Sequence, residues 1–167
     1  NNGLFAGTTA TTFAPDMTMT RAMLVSVLWR LAGEPAPKGT NTFDDVPNGA
    51  WYTDAVTWAA ENGVVAGIGN GRFDPDGSVT REQTAVILFN YAQSKGYDVS
   101  ARADLSVFPD AGSVSGWAQA ALAWANASGL ISGAVRGTQT ILDPQGSASR
   151  AQVAMILMGY VEHVVNA

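Results

Sequence analysis

The chain has 167 residues, 47% of them hydrophobic, with nine Lys and Arg against 14 Asp and Glu, a formal charge of −5 and no cysteine. A chain of this size buries roughly two thirds of its unfolded surface, so it can build a core without disulfide staples, and its composition is not that of a disordered tail. The acidic balance argues against nucleic acid as a partner, and no apolar stretch reaches the roughly 18 residues needed for membrane insertion.

Asn1 to Ala10 has neither a basic start nor an apolar centre, so no leader is expected there. An exported protein would be represented here by a mature or excised form. The chain then shows its main property, internal repetition. Gly3-Leu4-Phe5-Ala6-Gly7 is followed by Phe13-Ala14-Pro15-Asp16 and Thr18-Met19-Thr20-Arg21. Next comes an amphipathic stripe, Leu24, Val27, Leu28 and Leu31, which predicts a helix. Gly33 to Thr42 reads as a linker.

A full unit follows. Phe43-Asp44-Asp45-Val46 leads to Trp51, Ala55 and Trp58, spaced i, i+4 and i+7 on one helical face, and Gly63 falls where a helix C-cap belongs. Gly63-Val64-Val65-Ala66-Gly67, Phe73-Asp74-Pro75-Asp76 and Ser78-Val79-Thr80-Arg81 repeat the N-terminal series. A second predicted helix carries Ala85, Leu88, Phe89 and Ala92, and Lys95 to Asp104 is the next linker.

The third unit copies the second. Phe108-Pro109-Asp110-Ala111 opens it, and Trp117 to Gly129 lies a constant 66 residues after Trp51 to Gly63. Gly129-Leu130-Ile131-Ser132-Gly133, Leu142-Asp143-Pro144-Gln145 and Ser147-Ala148-Ser149-Arg150 follow, with three extra residues between Gly133 and Leu142 read as a loop insertion. Val153, Ile156, Leu157, Tyr160, Val161 and Val164 form the last stripe. No segment alternates as a strand does. The expectation is an all-α domain of helix–loop–helix units: a partial unit over 1–39, and full units over 40–99 and 100–167. One amphipathic pair cannot bury its face alone, so equivalent helices pack around a shared axis into one compact domain.

The second helix of each unit starts alike. Thr20, Thr80 and Ser149 are expected N-caps, and Gln83 and Gln152 complete capping boxes that Met23 cannot. Directly after each cap stands an arginine: Arg21, Arg81 and Arg150. A cation in the first turn opposes the helix dipole by roughly 0.3–1 kcal/mol, so three copies need a reason. One reading is an anion receptor, in which helix N–H groups and a planar guanidinium hold a carboxylate or phosphate. The other is structural, with each arginine paired to a carboxylate of a neighbouring unit such as Asp44, Asp45 or Asp110. Tryptophans at helical spacing are more often core than sugar platform. Trp51 and Trp117, at the starts of their helices, are the candidates for exposure.

These motifs resemble the S-layer homology family. Its repeats open on a Phe-x-Asp-Val-like start and a Trp- and Ala-containing helix. A Gly-rich loop ending in Phe-x-Pro and an (Ile/Val)-Thr-Arg-Ala-Glu-like helix start follow. The last element stands here as Met19-Thr20-Arg21-Ala22-Met23, Val79-Thr80-Arg81-Glu82-Gln83 and Ala148-Ser149-Arg150-Ala151-Gln152. The family Glu is thus Met23, Gln83 and Gln152. The resemblance covers nearly the whole chain and implies a pseudo-threefold helical spindle with ligand grooves between adjacent repeats. It also implies a non-catalytic, extracellular anchoring role in the bacterial cell wall or S-layer. The partner implied is a secondary cell-wall polysaccharide, often pyruvylated, or peptidoglycan, and the arginines are implied to hold the ketal carboxylate. Thr20, Thr80, Ser149, Trp51 and Trp117 join Arg21, Arg81 and Arg150 as expected ligand-binding residues. Arg81 is expected to be the surest, because its repeat is the most regular.

Other classes fit less well. The single histidine, His163, has no copy in the other repeats, and no cysteine nucleophile exists. No catalytic residues and no cofactor are expected. Asp74-x-Asp76-x-Ser78 imitates the start of a calcium loop, but its Gly is displaced to 77 and Ala85 stands where a bidentate Glu belongs, so no metal site is expected. The rival reading is a protein-interaction or self-association module, since an incomplete first repeat leaves apolar helix surface uncovered.

Overall fold

The computed structural model describes residues 18–165. The N-terminal motifs Gly3-Leu4-Phe5-Ala6-Gly7 and Phe13-Ala14-Pro15-Asp16 lie outside the described residues, as does the side chain of His163. The fold is all-α, with helices α1 (Arg21–Leu31), α2 (Thr53–Glu61), α3 (Arg81–Ser94), α4 (Gln119–Ala127) and α5 (Arg150–Tyr160). A π turn, Val161–Val165, continues α5. Both expected linkers lack regular structure.

Two local expectations change. Trp51 and Trp117 are not within the helices. Helix α2 begins two residues after Trp51, and Trp117 sits in a 3-10 turn, Gly116–Ala118, just before α4. The insertion in the third unit forms a small antiparallel hairpin, β1 (Ala134–Arg136) and β2 (Gln139–Ile141), with Val135 opposite Thr140. Three residues per strand are too few for a readable alternation.

Helices α1, α3 and α5 meet at their starts through one small closed circuit. The Met19 N–H donates to the Ala148 carbonyl (2.9 Å), the Ala148 N–H to the Val79 carbonyl (3.0 Å), and the Val79 N–H to the Met19 carbonyl (2.8 Å). All three residues are fully buried. Each occupies the same place, two residues before its arginine, so the circuit is the pseudo-threefold axis. Below it the apolar stripes converge. Leu24, Leu28, Leu88, Leu157 and Tyr160 are all buried.

The outer helices lie between the inner ones. Helix α2 packs on α1 and α4 on α3, so a first helix of one repeat covers the second helix of the repeat before it. Trp58 and Trp124 enter the core, Trp58 against Tyr91 and Trp124 against Phe89. Both α2 and α4 close in a Schellman turn on a left-handed glycine. Val64 N–H reaches the Ala59 carbonyl and Leu130 N–H the Ala125 carbonyl, each at 2.8 Å, with Gly63 at φ 71° and Gly129 at φ 77°.

A carboxylate links the two loops of each full repeat. Asp45 accepts from the Phe73 and Asp74 amides (2.8 and 2.7 Å), and Asp110 accepts from those of Leu142 and Asp143 (2.9 and 2.8 Å). This staple explains why the Phe-Asp opening and the Phe-x-Pro loop recur together. Partial burial raises the Asp45 carboxyl. The Phe73 and Asp74 amides, with its own amide and Arg72, outweigh that and hold it below the ordinary carboxylate value.

Two predictions follow from this framework. Val79→Pro deletes one donor of the circuit and should lower unfolding free energy by about 1–3 kcal/mol in urea titrations. For Asp45, a folded value below the unfolded one makes its stabilisation complete above the unfolded value and lost as pH falls through the folded one. Urea midpoints of wild type and Asp45→Asn should therefore differ by a constant amount down to about pH 5, and the difference should shrink only as pH falls below the ordinary carboxylate range.

Candidate functional site

Each inner helix starts on a capping hydroxyl, and in α1 and α3 the first-turn N–H groups already have acceptors within the protein. In α1, Arg21 N–H donates to Gly77 and Ala22 N–H to Pro75, both carbonyls of the following repeat (2.9 and 3.0 Å). Met23 N–H is taken by the Thr20 hydroxyl (3.1 Å) and Leu24 N–H by the Thr20 carbonyl (3.1 Å). Helix α3 copies this with Gly146, Pro144 and the Thr80 hydroxyl and carbonyl. The capping boxes at Thr80/Gln83 and Ser149/Gln152 are both present. Thr20, Thr80 and Ser149 therefore cap helices and hold the arginines in place. The expectation that helix-start amides receive an external anion does not hold for α1 and α3, because neighbouring loop carbonyls occupy them.

The arginines are buried, with 6%, 6% and 7% of Arg21, Arg81 and Arg150 exposed. The Arg21 Nε donates to the Phe73 carbonyl (2.8 Å) and its Nη2 to the Ala66 carbonyl (3.1 Å), while the guanidinium lies over the Phe73 ring at 4.7 Å. In the next repeat, the Arg81 Nε donates to the Leu142 carbonyl (2.9 Å). These bonds explain the cation at a helix start: carbonyls of the following repeat compensate the opposing dipole. Arg21 locks the repeats together, as the structural reading required, but through carbonyls. The ion partner of Asp45 is Arg72, at 3.9 Å. Desolvation draws the Arg21 guanidinium below its ordinary pKa, and the Asp74 and Asp45 carboxylates oppose that.

Two arginines also line grooves. The larger, about 500 Å³, is bounded by Arg21 from the first repeat, the Val64–Ile68 loop and the α3 face of Gln83, Ile87 and Asn90 from the second, and Trp117 from the third. The smaller, about 290 Å³, has Arg81 beside the Leu130–Val135 segment and Gln152, Met155 and Ile156 of α5. Close approach shapes the loop in each. A Cβ on Gly67 would fall 2.6 Å from the Arg72 carbonyl, and one on Gly133 would fall 2.7 Å from the Thr140 methyl.

The expected site residues thus divide. Arg21 and Trp117 come together across three repeats, and Trp117 is 62% exposed. Arg81 has a groove with no tryptophan among its lining residues. Trp51 is 61% exposed and stands edge-on to Tyr52 at 5.0 Å, apart from both grooves. Arg150 sits near Met23, with Nη2 3.7 Å from the sulfur. Sequence reasoning missed Ile87 and Asn90. Their signal was present: with Gln83 they lie at i, i+4 and i+7, a face beside the apolar stripe.

Comparison with known proteins then decides the family. The model of the S-layer homology domain matches residues 42–85 and 107–154. The chain belongs to the S-layer homology domain family. The surface-layer 125 kDa protein of Lysinibacillus sphaericus is 32% identical over 162 residues, covering 97% of this chain and 13% of that protein. The amylopullulanase of Thermoanaerobacterium thermosulfurigenes is 33% identical over 161 residues, covering 93% of this chain and 8% of that enzyme. An undecaheme cytochrome from the S-layer of Carboxydothermus ferrireducens superposes with a TM-score of 0.53 at 20% identity, over 96% of this chain and 20% of that one. This last likeness is one of fold. The chain spans a small fraction of the relatives it matches. S-layer homology domains are non-catalytic modules that anchor S-layer proteins and enzymes at the cell surface, so this one has an extracellular, cell-wall or S-layer location.

The structural part of the arginine's role is directly measurable. Arg81→Ala leaves the buried Leu142 carbonyl without its donor and should cost about 1–3 kcal/mol in chemical denaturation. Arg81→Lys should recover only part of that, since it lacks the Nε donor.

Proposed function

We propose that this S-layer homology module anchors its parent protein by binding an acidic secondary cell-wall polysaccharide, of the pyruvylated kind, in arginine-lined grooves between repeats. In this proposal residues 1–39, 40–99 and 100–167 form three units of one module. The observation that carries the reading is the convergence of Arg21, Trp117, Gln83 and Asn90 on one groove of about 500 Å³. A guanidinium suits a carboxylate, an exposed indole suits a sugar face, and two side-chain amides suit hydroxyl groups. That combination fits an anionic sugar better than peptide or lipid. It also moves the principal groove from Arg81 to Arg21, because the Arg81 groove is smaller and lacks the indole wall. Self-association is a second reading, favoured by the exposed Met155 and Met158 on α5.

The test is co-sedimentation with purified wall sacculi before and after acid extraction of the secondary polymer. Binding should vanish with the polymer. Trp117→Ala should weaken it by about 1–2 kcal/mol, roughly 5- to 30-fold, with no change in thermal unfolding. Binding that survives extraction would assign the ligand to peptidoglycan, and indifference to Trp117→Ala would remove this groove from the reading.

A further inference from the structure

The segment that carries Trp117 into the larger groove is two 3-10 turns, Ala111–Ser113 and Gly116–Ala118, and neither has a side-chain cap among the described residues. A 3-10 turn of one hydrogen bond does not hold a conformation unaided. In the preceding repeat the corresponding segment is tied locally. There the Thr53 hydroxyl donates to the Pro47 carbonyl (2.6 Å) and accepts from the Ala50 amide (2.9 Å), which brackets the approach to Trp51. In the third repeat Gln119 stands in the place of Thr53 and is exposed.

The tie comes instead from the repeat before. Glu82, in the first turn of α3, is buried and accepts from the Ser115 amide (3.0 Å) and hydroxyl (2.7 Å), two residues ahead of Trp117. The Gln145 side-chain amide donates to the Ser113 carbonyl (2.7 Å) and reaches the same carboxylate at 3.4 Å. At the corresponding places of the preceding junction stand Ala22, Gly49 and Asp76, which lack the acceptor, the hydroxyl and the amide of this set. A local staple has thus been exchanged for a long-range, charge-assisted one.

We propose that Glu82 is a positioning residue for the larger groove: it fixes the Trp117 indole relative to the α3 wall of Gln83, Ile87 and Asn90. Glu82 and Gln83 are consecutive on α3, so the carboxylate fastens the indole wall directly to the amide wall. An indole already held in place loses less freedom when a ligand arrives, which favours affinity. The effect of Glu82 on glycan binding rests on the function proposed above, whereas its hold on Trp117 does not.

The experiment labels the five tryptophans with a fluorinated analogue and assigns the Trp117 line in fluorine NMR by its loss in Trp117→Phe. The line should be single and sharp in the wild type. Glu82→Ala should broaden or split it while the Trp29 and Trp51 lines stay in place, and Glu82→Gln, which keeps an oxygen acceptor, should restore most of its sharpness. Circular dichroism checks each fold. If Glu82→Ala does not fold, Ser115→Ala, which removes only the hydroxyl, decides by the same line. In co-sedimentation with wall sacculi that retain the secondary polymer, Glu82→Ala should weaken binding about fivefold in the wild-type background and less than about twofold when Trp117 is already Ala. A Glu82 that merely stabilised the fold would cost the same factor in both backgrounds. An unchanged Trp117 line, or equal losses in the two backgrounds, would overturn the proposal. Sacculus binding indifferent to Trp117→Ala would instead remove the glycan reading, and the fluorine line would then decide the role of Glu82 alone.

Discussion

Three backbone hydrogen bonds among Met19, Val79 and Ala148 hold the starts of the inner helices at one level, and the other regularities depend on them. A closed circuit of buried donors and acceptors tolerates no sliding, since a shift of any segment by one residue leaves a buried N–H and a buried carbonyl unpaired. With the register set, the N–H groups of Arg21 and Ala22 meet the carbonyls of Gly77 and Pro75, and those of Arg81 and Glu82 meet Gly146 and Pro144. Helix ends that would otherwise need water are thus completed by the neighbouring repeat.

The same contacts give Arg21 and Arg81 two tasks. The Nε of Arg21 and of Arg81 joins one repeat to the next, and the same residue forms part of a groove wall. A lysine has no Nε donor and no planar edge, so it cannot do both. This coupling places a cation where a helix start alone would disfavour it. Repetition does not make the grooves equal. Trp117 reaches the first groove from two repeats away, so groove composition depends on three units, not on the pair that names it. The insertion that becomes the β1–β2 hairpin contributes Ala134 and Val135 to the second groove and gives it a different rim.

Glu82 shows how one repeat departs from the others. Its carboxylate is 3% exposed and accepts from the Ser115 amide (3.0 Å) and hydroxyl (2.7 Å), where α1 and α5 have Ala22 and Ala151. The segment leading to Trp117 and α4 is therefore tied to α3 by a buried, charge-assisted bond. That tie positions the turn from which Trp117 enters the groove.

The repeat series, the capped helix starts, the apolar stripes and the glycine stops are all local, and the chain alone determined them. Backbone propensity and periodicity act within a dozen residues, so Thr80, Gln83, Gly63 and Leu88 were legible as cap, box, stop and core. The partition of the tryptophans was legible only in part. Spacing assigned Trp51 and Trp117 to helices that begin two residues after each of them. Only the tertiary structure decided which acceptors Arg21 and Arg81 meet and which repeat supplies the indole of a groove. Those outcomes depend on residues far apart in the chain, such as Arg21, which bonds the Ala66 carbonyl and shares a groove with Trp117, and no local pattern encodes the geometry that closes the circuit at Met19, Val79 and Ala148.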